Sequence, residues 1–204
     1  MCQGNRDDAN KKNRSLNFQA SKIDGVLLSH AHIDHSGNLP TLVKAGFRGP
    51  IYATHATRDL AAHMLLDSAF IQEREAEYLN EKLAKKKKKE RVEPLYTVDD
   101  ATATLQQFVG VSYDHPMQIA PGVLASLRDA GHILGSAQIV LLIDDQDTKT
   151  QKVLVFTGDL GRKNLPLLRD PYKIEHADIL IMESTYGNRF HKSVLDVEEQ
   201  LEKL

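Results

Sequence analysis

The sequence predicts an α/β fold in one domain, and three observations carry that expectation. Short apolar runs with strand character lie toward both ends of the chain, at residues 25–29, 51–53, 123–127, 139–143, 153–156 and 179–182. Between them, Leu60, Met64, Leu65, Ile71, Tyr78 and Leu83 recur near a 3.6-residue period, which is the mark of helix. The composition, 41% hydrophobic and 26% charged over 204 residues, is that of an ordinary globular domain and excludes fibrous, collagen-like and disulfide-stapled classes.

Each element has a local reason. Residues 1–21 are polar and pattern-free, as in a loop or frayed end. The run 25–29 reads as a short buried strand whose end carries His30. A helix is expected over 38–45, with Pro40 tolerated in its first turn and Gly46 as its stop. After the strand at 51–53, the pattern over 57–89 is long enough for two helices or one protruding helix. Thr97 and Asp100 have capping-box spacing for a further helix through Phe108. Beyond Ser112 the character turns to β: 123–127 alternates, 139–143 is a continuous buried run, and 153–156 and 179–182 repeat the theme between Gly, Asp and Pro residues. Residues 193–204 are expected to form an amphipathic helix that lacks a C-cap, so the chain is expected to stop inside an element.

The net charge of −2 and pI near 6.5 create no whole-molecule attraction for nucleic acid, so a polyanion must be held by a local patch or a metal. The longest apolar runs are about a quarter of the roughly 20 residues needed to span a bilayer. The first twenty residues are polar where a signal peptide would be apolar, and a cytoplasmic protein without membrane association is expected. The single cysteine, Cys2, cannot form an intrachain disulfide and is given no role.

The nine histidines are the unusual count, and several are clustered. His30-Ala31-His32-Ile33-Asp34-His35 directly follows a strand, placing three imidazoles and a carboxylate, all ligand types that zinc accepts, within six residues. In a tight turn after a strand, alternate residues project to one side and the next pair turns away, so the spacing can feed two metals. Two further segments each set one ligand-type residue in a glycine-flanked turn: Gly131-His132-Ile133-Leu134-Gly135-Ser136-Ala137, and Thr157-Gly158-Asp159-Leu160-Gly161.

Taken in order, these motifs resemble the metallo-β-lactamase superfamily. The segment Glu183-Ser184-Thr185-Tyr186-Gly187-Asn188-Arg189-Phe190-His191 resembles the motif opening its β-CASP group of RNA-processing nucleases, which includes ribonuclease J and the endonuclease subunit of the cleavage and polyadenylation specificity factor. The resemblance implies an αβ/βα sandwich with metals at the edge between two sheets. It implies that His30, His32 and His132 hold one zinc, that Asp34 and His35 hold a second, and that Asp159 bridges them. Asp34, Asp159 and Glu183 are the implied catalytic carboxylates, with Glu183 orienting a ligating histidine. His191 is in register with the family but receives no role.

Against the family pattern, the leading strands and the β-CASP domain have no counterpart here, nor do the late histidines that complete the second metal site and donate a proton. Residues 1–190 are accordingly expected to be a partial metallo-β-lactamase domain with a helical insertion at about 57–108. Residues 191–204 are expected to begin the passage to a β-CASP domain. The implied activity is two-zinc hydrolysis of RNA phosphodiesters, with single-stranded RNA as the partner and the 204 residues alone inactive. A thioester or lactone hydrolase and a non-catalytic RNA- or partner-binding piece are the alternatives.

Seven basic and two acidic residues between Glu81 and Arg91 give a local charge of +5 around Lys85, Lys86, Lys87, Lys88 and Lys89. That run reads as a solvated helix C-terminus, with a phosphate contact as the alternative. His55, His63, His115 and His176 lie outside any ligand spacing and are expected at the surface or in caps.

Overall fold

The computed structural model describes residues 12–188; Cys2, His191 and the helix expected over 193–204 lie outside them. Three strands, β1 (Val26–Leu27), β2 (Ile51–Thr54) and β3 (Phe108–Val111), form a parallel sheet in that order. Parallel neighbours require a crossover, and helices supply both. Helices α1 (Ile33–Ser36) and α2 (Leu39–Lys44) connect β1 to β2, while α3 (His55–Lys85) and α4 (Val98–Leu105) connect β2 to β3. The helical stretch at about 57–108 thus lies within the connection from β2 to β3.

A second sheet runs β4 (Met117–Ala120), β5 (Val123–Asp129), β6 (Ala137–Asp145), β7 (Thr150–Phe156) and β8 (Ile179–Ile181) in spatial order. It is antiparallel up to β7, and β8 then joins β7 in parallel. Leu27, Val111 and Tyr113 from the first sheet and the segment after it pack with Leu127, Ala137, Ile139, Leu141 and Phe156 from the second, so one core layer lies between the sheets. On the other face of the first sheet, Ile51 and Ala53 meet Leu39, Leu42, Val43 and Ala61 of the helices. Leu65 and Ala69 of α3 then pack against Tyr96 and Ala101. The described residues thus form helix, sheet and sheet layers, three of the four layers of the αβ/βα sandwich that the resemblance implied.

Several boundaries differ from the sequence reading. α3 is a single 31-residue helix that starts at His55, because the Thr54 hydroxyl caps it by accepting from the Thr57 N–H at 3.1 Å. It ends at Lys85, and the chain turns at Lys87 with φ 54. Thr97 and Asp100 form the expected capping box, but α4 stops at Leu105 instead of reaching Phe108. Phe108 is already paired with Ile51 in β3, so sheet formation overrides helix extension there. Neither β3 nor β4 is evident in the sequence, since each is only four residues long and without clear alternation.

Burial predicts the energetic asymmetry of β5. Leu127 is fully buried between the sheets, whereas Leu124, on the opposite face, is 38% exposed. Leu127→Ala should lower the unfolding free energy by about 2–5 kcal/mol and Leu124→Ala by clearly less. Urea denaturation followed by circular dichroism measures both, and equal losses would contradict the layer assignment.

Candidate metal centre

The donor side chains come from three strand ends. After β1, Ala31 turns into the core while His30 and His32 converge with the other donors. One helical turn, α1, then swings Asp34 and His35 to a separate position. The buried Ser36 hydroxyl fastens that turn by donating to the Ala31 carbonyl at 2.7 Å. His132 sits in the loop between β5 and β6, and Asp159 follows β7.

These loops interlock. The Ala137 N–H donates to the Ser29 carbonyl at 2.8 Å, joining the two sheets beside His30. The Gly161 N–H donates to the Ala130 carbonyl at 2.8 Å, tying the Asp159 loop to the His132 loop. A Cβ at Gly161 would lie 1.6 Å from the Gly131 carbonyl oxygen, so only glycine permits this approach. The His132 loop is fixed again from the start of α3, where the Thr54 and Thr57 hydroxyls donate to the Gly135 carbonyl at 2.7 and 2.8 Å. Within that loop, the Ser136 hydroxyl oxygen accepts from the His132 and Ile133 N–H groups at 3.0 and 3.2 Å.

Four donor atoms converge as a result. His32 Nδ1 lies 3.1 Å from His30 Nε2 and 3.2 Å from His132 Nε2. Asp159 Oδ2 lies 3.6 Å from His30 Nε2 and 3.5 Å from His132 Nε2. One ligand atom from each of the four residues falls within 4.8 Å of the others, and the group can hold a metal ion. Asp159 Oδ1 faces the other way, 3.2 Å from His35 Nε2, which is itself 3.5 Å from Asp34 Oδ2. The other five residues expected as metal ligands therefore lie around the Asp159 carboxylate.

The surroundings favour neutral imidazole, the form that binds metal. Burial is the main cause that pulls His30 down to about 3, helped by the neighbouring His35, His32 and His132. Burial likewise lowers His132, opposed by the charges of Asp159 and Glu183. His30 Nδ1 is 3.1 Å from the Ser29 hydroxyl; with Nδ1 protonated and donating there, Nε2 offers its lone pair to the centre. Glu183 Oε1 accepts from the Leu160 N–H at 2.6 Å, so the carboxylate grips the residue next to Asp159, and its charge also acts on His132. The supporting roles of Ser29, Thr54 and Thr57 are not evident in the sequence. The only signal for Ser29 is its position beside His30, whereas Ser136 lies inside the glycine-flanked motif around His132 and could have been suspected from that.

The motif order, the two sheets and the donor cluster define a candidate metal centre, and a family comparison places the fold. A model described as the beta-lactamase superfamily domain matches residues 8–204, and the chain belongs to that superfamily. Among curated relatives, the transcription termination factor FttA of Methanothermobacter thermautotrophicus is 37% identical over 187 residues, covering 91% of this chain and 26% of that protein. A ribonuclease of Thermus thermophilus is 32% identical over 192 residues, covering 94% of this chain and 38% of that protein. The chain thus spans about a quarter to two-fifths of the length of these relatives. Among solved structures, the Rm3 metallo-beta-lactamase aligns with a TM-score of 0.41 and 15% identity, covering 73% of this chain and 47% of that one.

The lowered His30 value has a direct consequence for the metal-free protein. Below the unfolded-state value of 6.5 the unfolded chain takes up a proton that folded His30 refuses down to about 3, so stability falls as pH drops through that window. Between about pH 7.5 and 5.5, in chelator, His30 alone should account for about 1.4 kcal/mol of lost unfolding free energy. Urea titrations of the wild type and His30→Gln test this; an equally steep loss in the variant would show that His30 is not responsible.

Proposed function

We propose that the protein is a metal-dependent ribonuclease that hydrolyses RNA phosphodiester bonds with two zinc ions. The observation that carries this reading is the Asp159 carboxylate, whose Oδ2 faces His30 and His132 while its Oδ1 faces His35. His30, His32 and His132 would hold one ion, Asp34 and His35 would contribute to the other, and Asp159 would serve both. The donor chemistry fits zinc: nitrogen-rich sites suit it, whereas magnesium and calcium take oxygens. Four donor-to-donor contacts in the first set are 3.1–3.6 Å and all its donor atoms lie within 4.8 Å of one another, close enough to share one ion. Two such ions supply Lewis acidity toward a phosphodiester and a water-derived nucleophile at neutral pH.

The chain's own residues prepare that chemistry. Burial keeps His30 free of a competing proton, and Ser29 sets which of its nitrogens faces inward. Asp159 adds negative charge where two dications would otherwise repel each other. Glu183 acts as a positioning residue, holding the Leu160 N–H and with it the Asp159 turn. RNA is favoured as substrate by the ribonuclease relative and by the β-CASP-like segment beginning at Glu183. In this reading the RNA is single-stranded and the protein works in the cytoplasm. Residues 1–190 belong to a metallo-β-lactamase domain and 191–204 lead toward a β-CASP domain. Among the described residues no helix is long and apolar enough to cross a membrane.

Elemental analysis of the complete protein, purified without chelator, should find zinc, and RNA cleavage should be abolished by chelation. Recovery of magnesium or calcium alone would overturn the metal assignment. Loss of an outer-shell partner typically costs about 10–100-fold, so Asp159→Asn, which alters a shared ligand, should reduce cleavage by more than roughly 100-fold and lower zinc content. Near-normal cleavage by this variant would overturn the role of Asp159.

A further inference from the structure

The lysine run is a built feature of the fold. Lys82 and Lys85 lie in the last turn of α3, where cations complement the helix dipole. That effect fades beyond the last turn, so it does not account for Lys87, Lys88 and Lys89, which follow the C-cap residue Lys86. All five lysines from Lys85 to Lys89 are exposed, as is Arg91, and among the described residues none of the five forms an ion pair.

The returning chain is fastened along α3. Asn80 donates through Nδ2 to the Val92 carbonyl and accepts from the Val92 N–H through Oδ1, both at 2.8 Å. About two helical turns further toward the N-terminus, Gln72 Oε1 accepts from the Leu95 N–H and Glu73 Oε1 from the Val98 N–H, each at 3.1 Å. These bonds leave residues 86–91 as a short basic loop at the tip of a helix about 45 Å long. Five adjacent like charges repel one another, and a polyanion laid across them would relieve that repulsion. The other end of α3 is attached to the His132 loop through Thr54 and Thr57, so a rigid element joins the basic tip to the metal centre.

We propose that this basic loop is a second contact surface for the phosphate backbone of single-stranded RNA, remote from the metal centre and joined to it by α3. The inference rests on RNA being the substrate, but it concerns binding alone. A run of adjacent cations on an exposed loop suits a flexible chain of phosphates, whose contacts are electrostatic and sequence-tolerant.

The test measures binding of the full chain to a labelled oligouridylate of roughly 16 nucleotides, in chelator so that the metal centre contributes nothing, between about 50 and 200 mM salt. Changing the five lysines to glutamine should weaken binding and reduce the slope of log affinity against log salt by roughly 0.7 for each phosphate no longer neutralised. Changing them to arginine should preserve the slope, and circular dichroism should show α3 intact in both variants. The proposal is overturned if the glutamine variant keeps the wild-type slope, if the arginine variant loses it, or if the wild type binds no RNA at low salt. It is also overturned if phosphatidylserine vesicles capture the chain more tightly than RNA at equal salt, which would make the loop a membrane contact. Cleavage by the complete protein is scored separately: metal-dependent cleavage that survives while the slope is unchanged would refute this surface and leave the ribonuclease reading standing, whereas absent cleavage with an altered slope would do the reverse.

Discussion

The arrangement of the molecule turns on a single carboxylate that has to face two ways. Asp159 presents Oδ2 to His30 and His132 and Oδ1 to His35, so its position is set simultaneously by segments from both sheets. Convergent imidazole lone pairs and a carboxylate are unfavourable neighbours unless a cation or proton lies among them, and the fold must hold them together against that tendency. It does so with backbone contacts. Gly161 touches the His132 loop, Ala137 reaches Ser29, and Glu183 accepts from the residue following Asp159.

The rest of the architecture serves that edge. Parallel pairing in the first sheet brings the end of β1, with its histidines, close to the end of β2, where Thr54 starts α3. The hairpins of the second sheet bring the β5–β6 loop and the end of β7 to the same side. The apolar layer between the sheets, centred on Leu127 and Ile139, fixes their separation. α3 has a double role in this frame. Its buried face packs through Leu65 and Ala69, its first turn holds the Gly135 carbonyl, and its far end carries the basic loop.

The second sheet is less evenly covered than the first. Leu180 on β8 is 55% exposed, and the neighbouring Ile179 and Ile181 are about as open. The first sheet, by contrast, buries Ile51 and Ala53 completely beneath the helices. This asymmetry places the well-packed side of the described residues behind His30 and His32, the two donors that come from a single short segment.

The sequence by itself grouped the candidate donors His30, His32, Asp34 and His35 in one local frame and marked tight turns around His132 and Asp159 by their glycines, while the roles of these residues as ligands came from the family resemblance. It also determined the α4 cap, since Thr97 and Asp100 interact within a single turn. The strands β5 to β8 were legible for the same reason: their apolar patterns are local. Tertiary structure alone decided that the helical stretch is a crossover between β2 and β3, and that Phe108 leaves the helix to pair with Ile51. It also decided that Asn80 and Gln72 bind the returning chain, which converts a run of lysines into a fixed loop. Likewise, the division of Asp159 between two donor sets depends on where two sheets lie relative to each other. The physical reason is distance along the chain: His132 meets His32 across 100 residues, and no periodicity or spacing in either segment encodes the contact between them.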